Sequence, residues 1–213
     1  MIITYYGSSC FKVQSGETVL VFDPPSKESK FKSPRFASSL VFVSHNHKDH
    51  NGWENFTTGD KKPIILKGPG EYESGGTHIR GVLTYHDASF GKDRGLNTAY
   101  VVNLENMNIC HLGDFGETDL RGEAKEDIGE IDILFIPIGG DTVIDAEGAS
   151  KIISQIEPRI IIPMHYGSGD GKSAELKKFI NEMGGDGKPL DKFTLKKKDL
   201  EGKEMQFIVL NAE

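Results

Sequence analysis

SSLVFVSHNHKDH, residues 38–50, runs an uninterrupted apolar stretch, Leu40 to Val43, straight into three histidines and an aspartate. An apolar run without polar alternation is expected of a strand buried on both faces. Such a strand would deliver His45, His47, Asp49 and His50 at its downstream end. If the chain stays extended, His45 and His47 project to the same side, where two imidazole nitrogens grip one borderline cation. Asp49 and His50 follow after the strand has turned and can face a second point. A two-metal site needs this, with ions ~3.5–4 Å apart and a water between them. Three of the chain's seven histidines fall here without tag-like context, which favours metal binding over a merely polar loop.

Outward from this stretch, other β-type runs end on ligand-type residues. Upstream, ITYY, CFKV and TVLVFD read as strands, the last ending at Asp23 before Pro24–Pro25 and a polar, exposed loop to Pro34. Downstream come PIILKG, a turn region at Pro69–Gly70, and THIRGVLTY ending at His86. TAYVVNL and MNICHLGD read as a hairpin around Glu105–Asn106, ending at Asp114, where Gly113 permits close backbone approach. IDILFIPIG and RIIIPMH are buried strands, the second ending at His165. Functional side chains gather at such carboxyl ends in layered α/β folds.

The spacing predicts helices over Thr118–Ile128, with a Thr cap, over Asp145–Glu157, ended by Pro158, and over Ser173–Met183, stopped by Gly184–Gly185. FTLKKK and MQFIVLN read as a closing hairpin around Glu201–Gly202, with Lys196, Lys197 and Lys198 on its solvated face. No linker or low-complexity segment divides the chain, so one α/β domain over residues 1–213 is expected, with stacked sheets inside helices.

Composition narrows the function. A 213-residue chain buries roughly 70% of its unfolded surface, so a metal here is functional rather than a folding staple. A net charge of −7 argues against a broad nucleic-acid footprint. Cys10 and Cys110 are too few for a disulfide scaffold and read as buried free thiols. The N-terminus lacks signal-peptide character and no apolar run approaches the ~20 residues of a membrane span, which points to the cytoplasm.

H-x-H-x-D-H and the chain order Asp, H-x-H-x-D-H, His, Asp, His resemble the metallo-β-lactamase superfamily. The short length and the phrases Y-H-D…R-G-x-N, H-L-G-D and P-M-H-Y resemble its compact, lactonase-like branch, which includes relatives of ascorbate-6-phosphate lactonase. The resemblance implies a four-layer αββα sandwich of two mixed sheets with a dinuclear centre at their edges. Carried over, His45, His47 and His86 would hold one divalent ion, Asp49, His50 and His165 the other, and Asp114 would bridge them. Zinc is the first expectation, manganese or iron the alternatives. Asp23 would orient the ligands from behind. His78 and His111 compete with His86 for the third-motif role. His111 is expected in the core or behind the ligands, because it should face away from Asp114; His78 is expected at the surface.

That ligand set implies a hydrolase in which a metal-bridging hydroxide attacks an ester, lactone or phosphoester, with Asp49 and Asp114 as catalytic residues. Lys92 and Arg94 are candidates for meeting an anionic small-molecule substrate, Arg94 the better because its fork is bidentate. Asn97 reads as a turn cap. A mono- or di-iron oxidoreductase and a non-catalytic binding domain on the same scaffold are the alternatives. No nucleic-acid or membrane partner is expected; a homo-oligomer is compatible with the sequence.

Overall fold

The computed structural model describes residues 1–57, 62–167 and 173–213. In chain order the strands are β1 (Ile2–Tyr5), β2 (Phe11–Ser15), β3 (Thr18–Phe22), β4 (Leu40–Val43), β5 (Ile64–Lys67), β6 (Gly70–Ser74) and β7 (Thr77–Tyr85). There follow β8 (Leu96–Leu104), β9 (Met107–His111), β10 (Ile133–Pro137), β11 (Ile160–Met164), β12 (Phe193–Thr194) and β13 (Gln206–Phe207). They form two mixed sheets, in the orders β12-β1-β2-β3-β4-β5 and β13-β11-β10-β9-β8-β7-β6.

The strand before the histidines is buried at every position, as its unbroken apolar run requires. Leu40 and Phe42 belong to the core between the sheets, whereas Val41 and Val43 join Val21 and Phe56 in a smaller cluster on the other face. Phe56 comes from a 3-10 turn, Trp53–Phe56, and Phe36 of the β3–β4 loop packs beside it. Between the sheets Phe11 stacks on Phe135 at 4.3 Å, and the Tyr100 hydroxyl donates to the Val43 carbonyl at 3.1 Å. Each strand pleat thus sends alternate side chains into one core.

α1 (Gly122–Ile128) packs on β7, and α2 (Ala146–Ile156) packs on α3 (Ala174–Met183). The caps expected for the longer helices are present. Asp145 accepts from the Gly148 amide at 2.9 Å, and Ser173 from that of Leu176 at 3.1 Å. At the β8–β9 turn Glu105 and Asn106 both have positive φ, 53° and 59°, the geometry of a two-residue hairpin.

Three expectations are corrected. The Thr118–Ile128 helix begins only at Gly122, where the N-cap Arg121 has no side-chain acceptor, and the Leu120 amide before it donates to Gln155 of α2. Residues 70–74 form an edge strand paired with β7 rather than only a turn; its exposed Glu71 and Glu73 disguised it. The closing hairpin does not exist. β12 joins β1 in one sheet and β13 joins β11 in the other. Lys197–Leu200 between them is a 3-10 turn that buries Leu200, and Lys197 reaches Asp132 at 2.9 Å instead of solvent alone.

The inter-sheet aromatics should dominate stability. Phe135→Ala should cost about 3–5 kcal/mol in urea unfolding. Leu96→Ala, at a side chain 59% exposed, should stay within about 0.5 kcal/mol.

Candidate metal centre

Three chain segments, each leaving the end of a strand, converge on a carboxylate oxygen supplied by a fourth. Asp114 Oδ2 lies 3.3 Å from Nε2 of His50, 3.3 Å from that of His86, 3.4 Å from that of His165 and 3.9 Å from that of His45. The donors form compact groups: His45, His86 and Asp114; His50, Asp114 and His165; and His45, His47 and His50. Asp114 is common to the first two. The chain does not stay extended through the motif as expected. β4 ends at Val43 and the His47 amide donates to the His45 carbonyl at 3.1 Å, yet the two rings remain parallel, 6.0 Å apart. Asp49 stands beside these groups, its Oδ2 4.0 Å from His47 Nδ1.

A second layer fixes the imidazoles from behind. Asp23, 1% exposed, accepts from the Ser44 amide at 2.7 Å and from the Ser44 hydroxyl at 2.6 Å. With its proton given to Asp23, Ser44 Oγ accepts from His45 Nδ1 at 3.0 Å, which leaves the Nε2 lone pair of His45 aimed at the centre. Asp23 also lies 3.3 Å from His50 Nδ1. Asp114 is held likewise. Ser9 Oγ donates to Oδ1 at 3.2 Å and the Asn97 amide oxygen accepts from its backbone N–H at 3.0 Å, so Oδ2 faces the histidines.

His111 is buried among Phe22, Phe11 and Phe135. Burial pushes its pKa down, and the neutral ring spans two loops. Nδ1 accepts from the Gly113 amide at 3.1 Å, which leaves Nε2–H to donate to the Ser9 carbonyl at 2.8 Å. Gly113 has φ +58°, and a Cβ there would lie 2.4 Å from Asn97 Oδ1 and 2.5 Å from Ser44 Cβ, so no other residue fits. Asp23 and His165 themselves adopt positive φ, 42° and 58°. Left-handed backbone at non-glycine residues persists only where the surroundings impose it, and such strain clusters at functional sites.

The charges need compensation. Burial opposes ionisation of Asp114, yet His50 and His165 hold its carboxyl well below the usual range. Burial also opposes charge on His50, but Asp114 and Asp23 on either side push its pKa up to about 10. Burial, aided by the His50 charge, pushes His45 down to about 4. The cluster therefore keeps a buried carboxylate charged among crowded rings, while among the described residues Asp49 Oδ1 and His86 Nδ1 are buried without hydrogen-bond partners. A single oxygen cannot accept from four rings at 3.3–3.9 Å, and these all-N/O donors suit divalent cations such as zinc, manganese or iron. The residues fit a metal centre.

The centre opens into a cleft of about 500 Å³ lined also by Ser8, Lys30, Phe31, Arg94, Asp141 and Thr142. Of the two suggested substrate cations, Arg94 lines it and Lys92 does not. His78 is 72% exposed beside Glu73, outside the cluster. Asn97 is no turn cap. It is fully buried, and its amide nitrogen donates to Thr84 Oγ1 and the Leu112 carbonyl. Ser44, Ser9 and Lys30 were missed by the sequence reading. Only Ser44, adjacent to the first histidine, offered a local signal.

Ser44→Ala and His111→Leu should each weaken metal binding about 10–100-fold in chelator competition, without removing a donor. If His50 is a ligand it must shed its proton, so metal uptake should release a proton and affinity should rise with pH. Calorimetry in buffers of different ionisation enthalpy reads that proton, and uptake without release contradicts the assignment of His50.

A family model described as the beta-lactamase superfamily domain matches residues 2–165. A UPF0173 metal-dependent hydrolase of Thermoplasma acidophilum is 29% identical over 202 residues, covering 83% of this chain and 88% of its own. One from Lysinibacillus sphaericus is 25% identical over 199 residues, covering 78% and 85%. Among solved structures, a candidate Zn-dependent hydrolase of the metallo-beta-lactamase superfamily from Thermotoga maritima superposes with a TM-score of 0.78 at 28% identity, covering 98% of this chain and 97% of that one. With its two mixed sheets and a family match over most of its length, this chain belongs to the metallo-β-lactamase superfamily.

Proposed function

We propose that this chain is a metal-dependent hydrolase in which His45, His47, Asp49, His50, His86, Asp114 and His165 hold two divalent cations, zinc foremost. One observation carries the reading. Asp114 Oδ2 is shared between a His45–His86 group and a His50–His165 group, the arrangement of a bridging carboxylate. The names of the relatives, metal-dependent and Zn-dependent hydrolases, agree with it. Bound divalent cations lower the pKa of water and polarise a carbonyl or phosphoryl oxygen, the chemistry needed to cleave an ester, lactone or phosphoester.

The chain's own residues supply position and proton handling. Asp23, through Ser44, keeps the proton of His45 on Nδ1. Ser9 and Asn97 aim Asp114. Asp49, with a buried oxygen that no group among the described residues satisfies, is the candidate to accept the proton of the attacking water. The cleft of about 500 Å³ suits a small molecule rather than a polymer.

Native protein should contain two transition-metal ions per chain by elemental analysis. It should turn over para-nitrophenyl acetate or bis(para-nitrophenyl) phosphate, lose that activity to a chelator and regain it with zinc or manganese. Asp114→Asn should lose metal and turnover together. Asp49→Asn should lower kcat about a hundredfold or more. Turnover indifferent to chelation would sink the reading; a single ion per chain would sink its dinuclear part.

A further inference from the structure

The loop that follows His86 is built to hold one side chain in place. Asp87 Oδ1 accepts from the amides of Ser89 at 2.8 Å and Gly91 at 3.0 Å. Its Oδ2 accepts from those of Asp93 at 3.2 Å and Arg94 at 2.8 Å. The loop is closed at its base, where the His86 amide donates to the Gly95 carbonyl at 3.1 Å and the Gly95 amide to the Gly91 carbonyl at 3.0 Å. Four amides on one carboxylate make the backbone of Arg94 rigid beside a candidate metal ligand.

The guanidinium that this loop presents is uncommitted. Arg80, Arg121 and Arg159 lie 3.5, 2.8 and 3.3 Å from carboxylates. Among the described residues Arg94 has no such ion pair, only the backbone carbonyl of Asp141 at 3.4 Å. Lys30 lines the same cleft from the loop between β3 and β4. It too lacks an ion pair among the described residues, and its ammonium rests 5.3 Å from the centroid of the Phe31 ring. In a chain with a net charge of −7, two cations from separate loops, unpaired among the described residues, share the cleft that holds the histidine cluster. Arg94 offers a planar fork that matches an oxyanion bidentately, and Lys30 a point charge.

We infer that Arg94 and Lys30 form an oxyanion subsite, which receives a carboxylate or phosphate carried by the substrate away from the bond being cut. The inference rests on the hydrolase reading and narrows it to small anionic substrates. Lys92, two residues from Arg94 but outside the cleft, takes no part.

Metal-loaded protein is assayed with a matched pair of esters, para-nitrophenyl hemisuccinate and para-nitrophenyl butyrate, which differ in a terminal carboxylate. The anionic ester should be preferred at least about tenfold in kcat/KM, chiefly through KM, as expected for hydrogen bonds to a charged group. Arg94→Ala should abolish the preference with metal content unchanged, Lys30→Ala should reduce it, Arg94→Lys should restore part of it, and Lys92→Ala should preserve it. Equal turnover of both esters by the native enzyme, or a preference that survives Arg94→Ala, overturns the subsite and leaves the hydrolase standing. Turnover of neither ester counts against the hydrolase reading on which the subsite depends.

Discussion

A carboxylate that must stay charged in the interior is the constraint around which this protein is built. Asp114 is 3% exposed, and its Oδ2 is ringed by the Nε2 atoms of four histidines. Burying an ionised carboxylate is costly unless positive charge and hydrogen bonds compensate it. Ser9 and His50 do part of this, and four rings crowded around one oxygen cannot all complete it by hydrogen bonding. Divalent cations held by these donors would meet the need, which is why the cluster fits a metal centre better than a polar core.

The scaffold around Asp114 holds the donors by their far sides. Asp23, Ser44 and His111 touch no candidate substrate position, yet each fixes a ring or a loop that does. Asp23 serves His45 through a hydroxyl and lies against His50 directly. His111, neutral in its aromatic surroundings, ties the Ser9 carbonyl to the Gly113 amide and so sets both loops that hold Asp114. The positive φ of Asp23 and His165 and the tight approach at Gly113 belong to the same device. Strained backbone aims the side chains inward, and the packed sheets on either side keep it there. The rigid loop ordered by Asp87 extends the principle to the mouth of the cleft, where it presents Arg94.

Much was legible in the linear chain, for identifiable reasons. Strands such as β4, β10 and β11 announce themselves because a strand covered on both faces is apolar at every position. The helices over residues 146–156 and 174–183 declare their ends through Asp145 and Ser173, whose capping bonds are local. The β8–β9 hairpin was readable from Glu105–Asn106 for the same reason. Local rules failed where a distant partner took over: Gln155 captures the Leu120 amide just before α1, and β12 and β13 find partners in opposite sheets rather than in each other.

The candidate site divides along the same line. Residue type and order along the chain nominated His45, His47, Asp49, His50, His86, Asp114 and His165, since ligand chemistry and strand-end position are properties of the sequence. Which third-motif histidine joins the cluster, that Arg94 and not Lys92 reaches the cleft, and that Ser9, Asn97 and Lys30 stand beside it were decided only by folding. These depend on distances between segments up to about a hundred residues apart, such as Ser9 and Asp114. Contacts of that range are set by how two sheets pack, and no local pattern in the chain encodes them.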